Sequence, residues 1–150
     1  MRFHKMSWTC AAIALLTVNF SFHAGDKQTK KVEAVVVINI EGKGENAKYI
    51  KEGDKKQQPV VVIVGQTVRW QNKSNVTHTA TEGIPDKGKP VFDTGNIKKG
   101  KNADILFDQK LFEQLGGKAG GEIKVNYYCI PHSESMKSSL LLRSAAKTDK

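Results

Sequence analysis

Short β-branched runs recur along most of this chain and constrain its fold more than any other feature. Val32 to Ile40 (VEAVVVINI) and Val60 to Val64 are crowded with Val and Ile, whose stiff side chains favour a pleated strand over a helix. Thr67 to Gln71 alternates, with Val68 and Trp70 on one face. Residues 76–81 (VTHTAT), Ala103 to Phe107, Glu122 to Cys129 and Ser139 to Arg143 supply four more β-prone stretches. Punctuation lies between them: a Gly-bearing, charged stretch from Glu41 to Gln58, a turn at Gly65-Gln66, and a Gly/Pro-rich loop from Glu82 to Pro90. Strands of this length and spacing build an all-β sandwich or barrel. Leu111 to Leu115, before Gly116-Gly117, is expected to form one helical turn. No internal repeat is present, and 150 residues make one domain with little left over.

The first 24 residues stand apart from that domain. Arg2, His4 and Lys5 form a positive head, no acid occurs before Asp26, and Ala11 to Phe22 is mostly apolar. That order is the order of a secretory signal, with cleavage expected near Ala24. Asn19, Ser21 and His23 break the apolar stretch short of the ~18–20 residues that span a bilayer. Ser7-Trp8-Thr9 lacks the small and aliphatic residues expected before a lipidated Cys10. The expected organisation is a removed signal over 1–24, a polar lead over 25–31, a domain over 32–143 and a polar tail over 144–150. The mature chain is then periplasmic or secreted, with no integral membrane span.

Removing that signal changes the arithmetic. Loss of Arg2 and Lys5 takes 24 basic residues to 22 against 15 acids, so the net charge falls from +9 to +7. Cys129 becomes the sole thiol, His78 and His132 the sole imidazoles, and Met136 the sole thioether. A disulfide framework is excluded, and a lone Cys in an oxidising compartment must be protected or used. The lysines at 55, 56, 87, 89, 98, 99 and 101 are dispersed and match no nucleic-acid reader. They suit a solvated face that steers toward an acidic partner.

The run from Glu122 to Cys129 carries the chemistry. Its period of two puts Ile123, Val125, Tyr127 and Cys129 on one face, so the thiol ends the core-facing side of the strand. The loop Ile130-Pro131-His132-Ser133-Glu134-Ser135-Met136 follows at once. Thiolate and thioether are soft donors and imidazole suits copper. Two His and one Cys in a trigonal plane with a long axial Met make the electron-transfer copper site. The loop offers Cys129, His132 and Met136, and only His78 remains to complete the set. Each of these residue types alone is more often plain packing or surface; together they exhaust the Cys, His and Met of the exported chain.

These pieces resemble the cupredoxin (plastocyanin/azurin-like blue copper) family. The resemblance rests on G-Q-T-V-R-W-Q-N with His78 downstream, on Y-Y-C-I-P-H-S-E-S-M-K, and more loosely on V-F-D-T-G-N-I as the family's middle strand. It covers most of residues 32–143. It implies a Greek-key β-sandwich holding one type 1 copper ion, with His78 on an inner strand and the other three ligands on the last loop. It also implies that His132 sits at the surface edge as the electron's exit. Three residues separate His132 from Met136, against four in plastocyanin-like loops and two in amicyanin-like ones. Glu134 or a backbone carbonyl is therefore the alternative to Met136 as axial ligand. Thr79 stands where the family often has an Asn that ties the two ligand segments together, so only a hydroxyl is available for that task. Ser138 departs from the usual Met-Lys-Gly. Pro131 lacks an N–H and so removes one donor to the Cys129 sulfur.

The expected function is a monomeric, exported one-electron carrier between redox partner proteins, and not an enzyme. Copper oxidases and nitrite reductases need further copper centres, whose imidazoles this chain cannot supply. The alternative is a non-redox copper module for storage, delivery or sensing, which would favour Cu(I) and show no thiolate-to-Cu(II) colour.

Overall fold

β1 (Val35–Glu41) shows how the β-branched run is used: Val36, Ile38 and Ile40 point inward, at 6%, 0% and 0% exposure. The strand pairs antiparallel with β2 (Lys48–Lys51) on one side and parallel with β4 (Thr67–Asn72) on the other. β6 (Asn102–Leu106) closes that sheet against β4, giving the order β2-β1-β4-β6. The second sheet has the order β3-β8-β7-β5, built from β3 (Val60–Ile63), β5 (Thr81–Glu82), β7 (Glu122–Tyr128) and β8 (Lys137–Arg143). This computed structural model describes residues 34–144. The proposed signal, the polar lead and the tail beyond 144 lie outside the described residues.

The two sheets share one core. Val68 and Trp70 of β4 meet Val125 and Tyr127 of β7 and Leu140 and Leu142 of β8, as two inner faces of a β-sandwich do. Tyr127 bridges the layers, edge-on to Tyr49 of β2 at 4.7 Å and to Trp70 at 5.8 Å between ring centroids. The β3–β4 connection is a tight turn in which Gly65 takes φ +100°, a conformation that costs a side-chain-bearing residue energy. The Gln66 side chain accepts the Ile63 N–H at 2.6 Å across that turn. The expected helical turn is α1 (Gln109–Gln114), capped by the Asp108 carboxylate on the Leu111 N–H at 2.8 Å.

Three expectations are corrected. The stretch from Glu41 to Gln58 is not wholly loop: it contains β2, whose Tyr49 is fully buried. Residues 76–81 do not form a strand, and His78 is not on one. His78 makes an isolated bridge to Ile97, and regular pairing resumes only at the two-residue β5. V-F-D-T-G-N-I likewise shows only single bridges, Asp93 to Thr81 and Ile97 to His78. The cause is local: the Thr79 N–H goes to the Cys129 sulfur at 3.4 Å and the Ala80 N–H to the Thr94 hydroxyl at 2.8 Å. Side chains thus take donors that a ladder would need.

Candidate metal centre

Cys129 follows the last residue of β7, where the strand's inward face delivers its side chain to the core at 0% exposure. A 3-10 turn, Ile130–His132, begins immediately, with Pro131 in its first positions. The loop is closed by backbone bonds: His132 N–H to Cys129 O at 3.0 Å, Met136 N–H to His132 O at 2.9 Å, and Cys129 N–H to Met136 O at 3.0 Å. Cys129 and His132 are held at a fixed separation, and Met136 returns buried, at 1% exposure, as β8 begins. The Ser135 hydroxyl pins the loop tip to Glu45 O at 2.8 Å.

His78 reaches the same point from a different stretch. Its backbone is clamped on both sides by Ile97, the N–H at 3.1 Å and the carbonyl at 2.7 Å. The Cys129 sulfur lies 3.5 Å from Nδ1 of His78 and 3.5 Å from Nδ1 of His132. One donor atom from each of His78, Cys129 and His132 falls within 4.8 Å of the others. With Met136 these residues make a His–Cys–His–Met cluster of the type 1 copper kind. His78 is fully buried and His132 only partly. The structure thus brings the donor atoms of His78, Cys129 and His132 together and places Met136 buried where the loop ends.

The electrostatics suit a soft cation. Burial, and then the neighbouring His132, push the His78 imidazole below its ordinary value, so it stays neutral with a lone pair to give. Burial pushes the Cys129 thiol up, while the backbone N–H groups of Thr79 and His132 pull it back. The metal-free thiol is therefore protonated near neutrality, and a cation must displace its proton. Two imidazoles and one thiolate, two of the three side chains buried, fit one type 1 copper ion by the chemistry of the donor set.

Thr79 ties the two segments together with the hydroxyl that the sequence left it. Its Oγ1 accepts the Ile130 N–H at 2.9 Å and lies 3.0 Å from Thr81 Oγ1, which donates to the Asp93 carboxylate at 2.9 Å. The relay runs one way, from Ile130 N–H to an acidic end. Thr79→Val keeps the shape but strands the Ile130 N–H, at a cost of about 1–3 kcal/mol. Denaturant unfolding of the metal-free protein is expected to show that loss, and Thr79→Ser to recover most of it.

Sequence reasoning missed three contributors. Tyr49 sits on the unforeseen β2, and its hydroxyl donates to the Thr79 carbonyl while the phenol, pushed up by burial and then by Cys129, stays protonated. Asn72 and Ser74 lie buried behind His78. The signal for them was the polar cluster Asn72-Lys73-Ser74-Asn75 just upstream of a candidate ligand.

No protein-family model matches the chain, and no curated protein sequence matches it. Solved structures do. A Cu(I) form of an amicyanin mutant is 17% identical, with 76% of this chain and 87% of that chain covered at a TM-score of 0.50. A reduced form of another amicyanin mutant is 19% identical over the same shares, at a TM-score of 0.49. At such identity the likeness of the first speaks for the fold alone. With two four-stranded sheets, each holding one parallel pair (β1–β4 and β3–β8), and the His–Cys–His–Met cluster at the end of β7, this chain has the cupredoxin fold.

Proposed function

We propose that this protein is an exported type 1 copper protein that carries single electrons between partner proteins, with His78, Cys129, His132 and Met136 as the ligands. The observation that carries the reading is the convergence of three donor atoms within 4.8 Å from two separate stretches of a stiff sandwich. Bound copper would supply a one-electron Cu(II)/Cu(I) couple. The chain's own residues supply the rest. Both histidines and the thiol are held by backbone closures, so little rearrangement accompanies a change of charge. Met136 is favoured over Glu134 as the fourth ligand because the thioether is buried while Glu134 is exposed. His132 is the partly exposed member of the set, next to Ile130 at 50% exposure, which supports it as the exit for the electron.

A carrier needs a face for its partners. The lysines at 55, 56, 87, 89, 98, 99 and 101 are all exposed, and a chain of net charge +7 after loss of the signal attracts acidic redox proteins and speeds their encounter. Among the described residues no helix is long and apolar enough to cross a membrane.

One equivalent of Cu(II) added to the domain tests the reading. An intense visible thiolate-to-Cu(II) band with a reversible one-electron couple supports a carrier. Tight Cu(I) binding with no such band would point to storage or delivery. In Met136→Ala the metal is expected to stay bound while spectrum and potential shift; an unchanged spectrum rejects Met136 as a ligand.

A further inference from the structure

Behind His78, on the side away from the sulfur, lies a closed set of polar groups that the copper reading does not use. Nε2 of His78 is 2.8 Å from the Ser74 hydroxyl oxygen. That oxygen is in turn 2.7 Å from Asn72 Oδ1 and 3.1 Å from the Val76 carbonyl. The Asn72 amide is oriented by its other end, since Nδ2 donates to Val76 O at 2.7 Å and to Ile97 O at 2.8 Å. Its Oδ1 therefore faces Ser74, and it also accepts the Ser74 N–H at 2.9 Å. His78, Asn72 and Ser74 are 0%, 0% and 3% exposed, so solvent does not compete for these bonds.

The proton count has one solution. Asn72 Oδ1 carries no hydrogen, so its 2.7 Å approach to the Ser74 oxygen needs the one hydrogen of the Ser74 hydroxyl between them, while the Val76 N–H, at 3.4 Å, reaches that oxygen as a further donor. What the hydroxyl has left for His78 is a lone pair, and Nε2 must therefore carry the ring's hydrogen. In a neutral imidazole the other nitrogen then bears the lone pair, and that nitrogen, Nδ1, is the one 3.5 Å from the Cys129 sulfur.

We propose that Ser74 is a positioning residue that locks His78 as the Nε2–H tautomer and turns its Nδ1 lone pair toward the metal pocket, with Asn72 fixing the direction of the lock. The inference rests on the copper reading only for what the freed Nδ1 is used for. Ile97 ties the parts together, because its carbonyl takes both the His78 N–H and the Asn72 amide. The ligand's backbone and the amide that directs its tautomer are thus both held by Ile97. Outer partners of metal-bound His commonly do this, and their loss costs about 10–100-fold in metal affinity.

The first measurement needs no metal: nitrogen-15 NMR of the histidine rings in the metal-free wild-type protein. A protonated Nε2 and bare Nδ1 at His78 is expected; the Nδ1–H tautomer overturns the proposal even if no variant folds. Ser74→Ala is expected to give a mixed tautomer at His78 and copper affinity about 10–100-fold weaker. Ser74→Thr keeps the hydroxyl and is expected to restore both. A Ser74→Ala protein with an unchanged tautomer and undiminished copper affinity overturns the assignment. Wild-type protein that shows the expected tautomer but takes up no copper supports the lock and sinks the copper reading instead, so the two failures are told apart.

Discussion

Cys129→Ser is expected to abolish the thiolate-to-Cu(II) band and to leave the sandwich folded. The two outcomes come from different properties of one atom. As a ligand, the sulfur is the sole soft anionic donor of the cluster, 3.5 Å from both imidazole nitrogens, and a serine hydroxyl neither ionises near neutrality nor matches its softness for copper. Affinity should fall by more than the ~10–100-fold that follows loss of an outer partner. As a core residue, Cys129 is small and already faces donors: the Thr79 N–H at 3.4 Å can serve a hydroxyl oxygen as it serves the sulfur. The stability change is therefore expected within about 1–2 kcal/mol, the range of a buried polar exchange that keeps its hydrogen bond. Titration with Cu(II) followed by visible and paramagnetic-resonance spectra reads the first outcome, and unfolding of the metal-free variant reads the second. A variant that keeps an intense band places the thiolate elsewhere and removes the basis of the site.

The site was more legible in the sequence than the strands around it. Cys129, His132 and Met136 lie within one short loop, and the period of two along β7 alone says that the thiol faces inward. His78 was reached by exhaustion of alternatives, a chemical argument that needs no secondary structure. Its setting was not legible, because the stretch around it trades ladder bonds for bonds to Cys129 and Thr94 side chains. β-Branched composition cannot report such an exchange. β2 was hidden for another reason: Lys48-Tyr49-Ile50-Lys51 is only four residues long with charged ends, and its inward member is recognisable only once Tyr127 is seen edge-on to it across the sandwich. The Ser74 lock is further from reach still. It depends on which way an amide faces, and that is decided by carbonyls at positions 76 and 97.

Trp70→Ala is expected to be the most damaging substitution for stability while sparing the ligands themselves. Trp70 is fully buried on β4 and lies against Phe92, Phe107 and Tyr127 at centroid separations of 6.0, 6.4 and 5.8 Å. Three aromatic neighbours cannot collapse together into the space of an indole, so a cavity remains, and such truncations cost about 3–5 kcal/mol. For a domain held by about 5–15 kcal/mol in total, that is a large share. At roughly 4 °C or more per kcal/mol, the melting temperature should drop by more than about 10 °C. Trp70→Phe is the control. A phenyl ring keeps most of the apolar contact with these three neighbours, so its cost should be well below that of alanine. Because Trp70 is none of the cluster's residues and lies against Tyr127, two residues before Cys129, the folded fraction of Trp70→Ala should keep the wild-type copper spectrum. Copper should also raise its melting temperature by mass action. A loss below about 1 kcal/mol in Trp70→Ala would mean that the two sheets do not close over this side chain as the ring geometry requires.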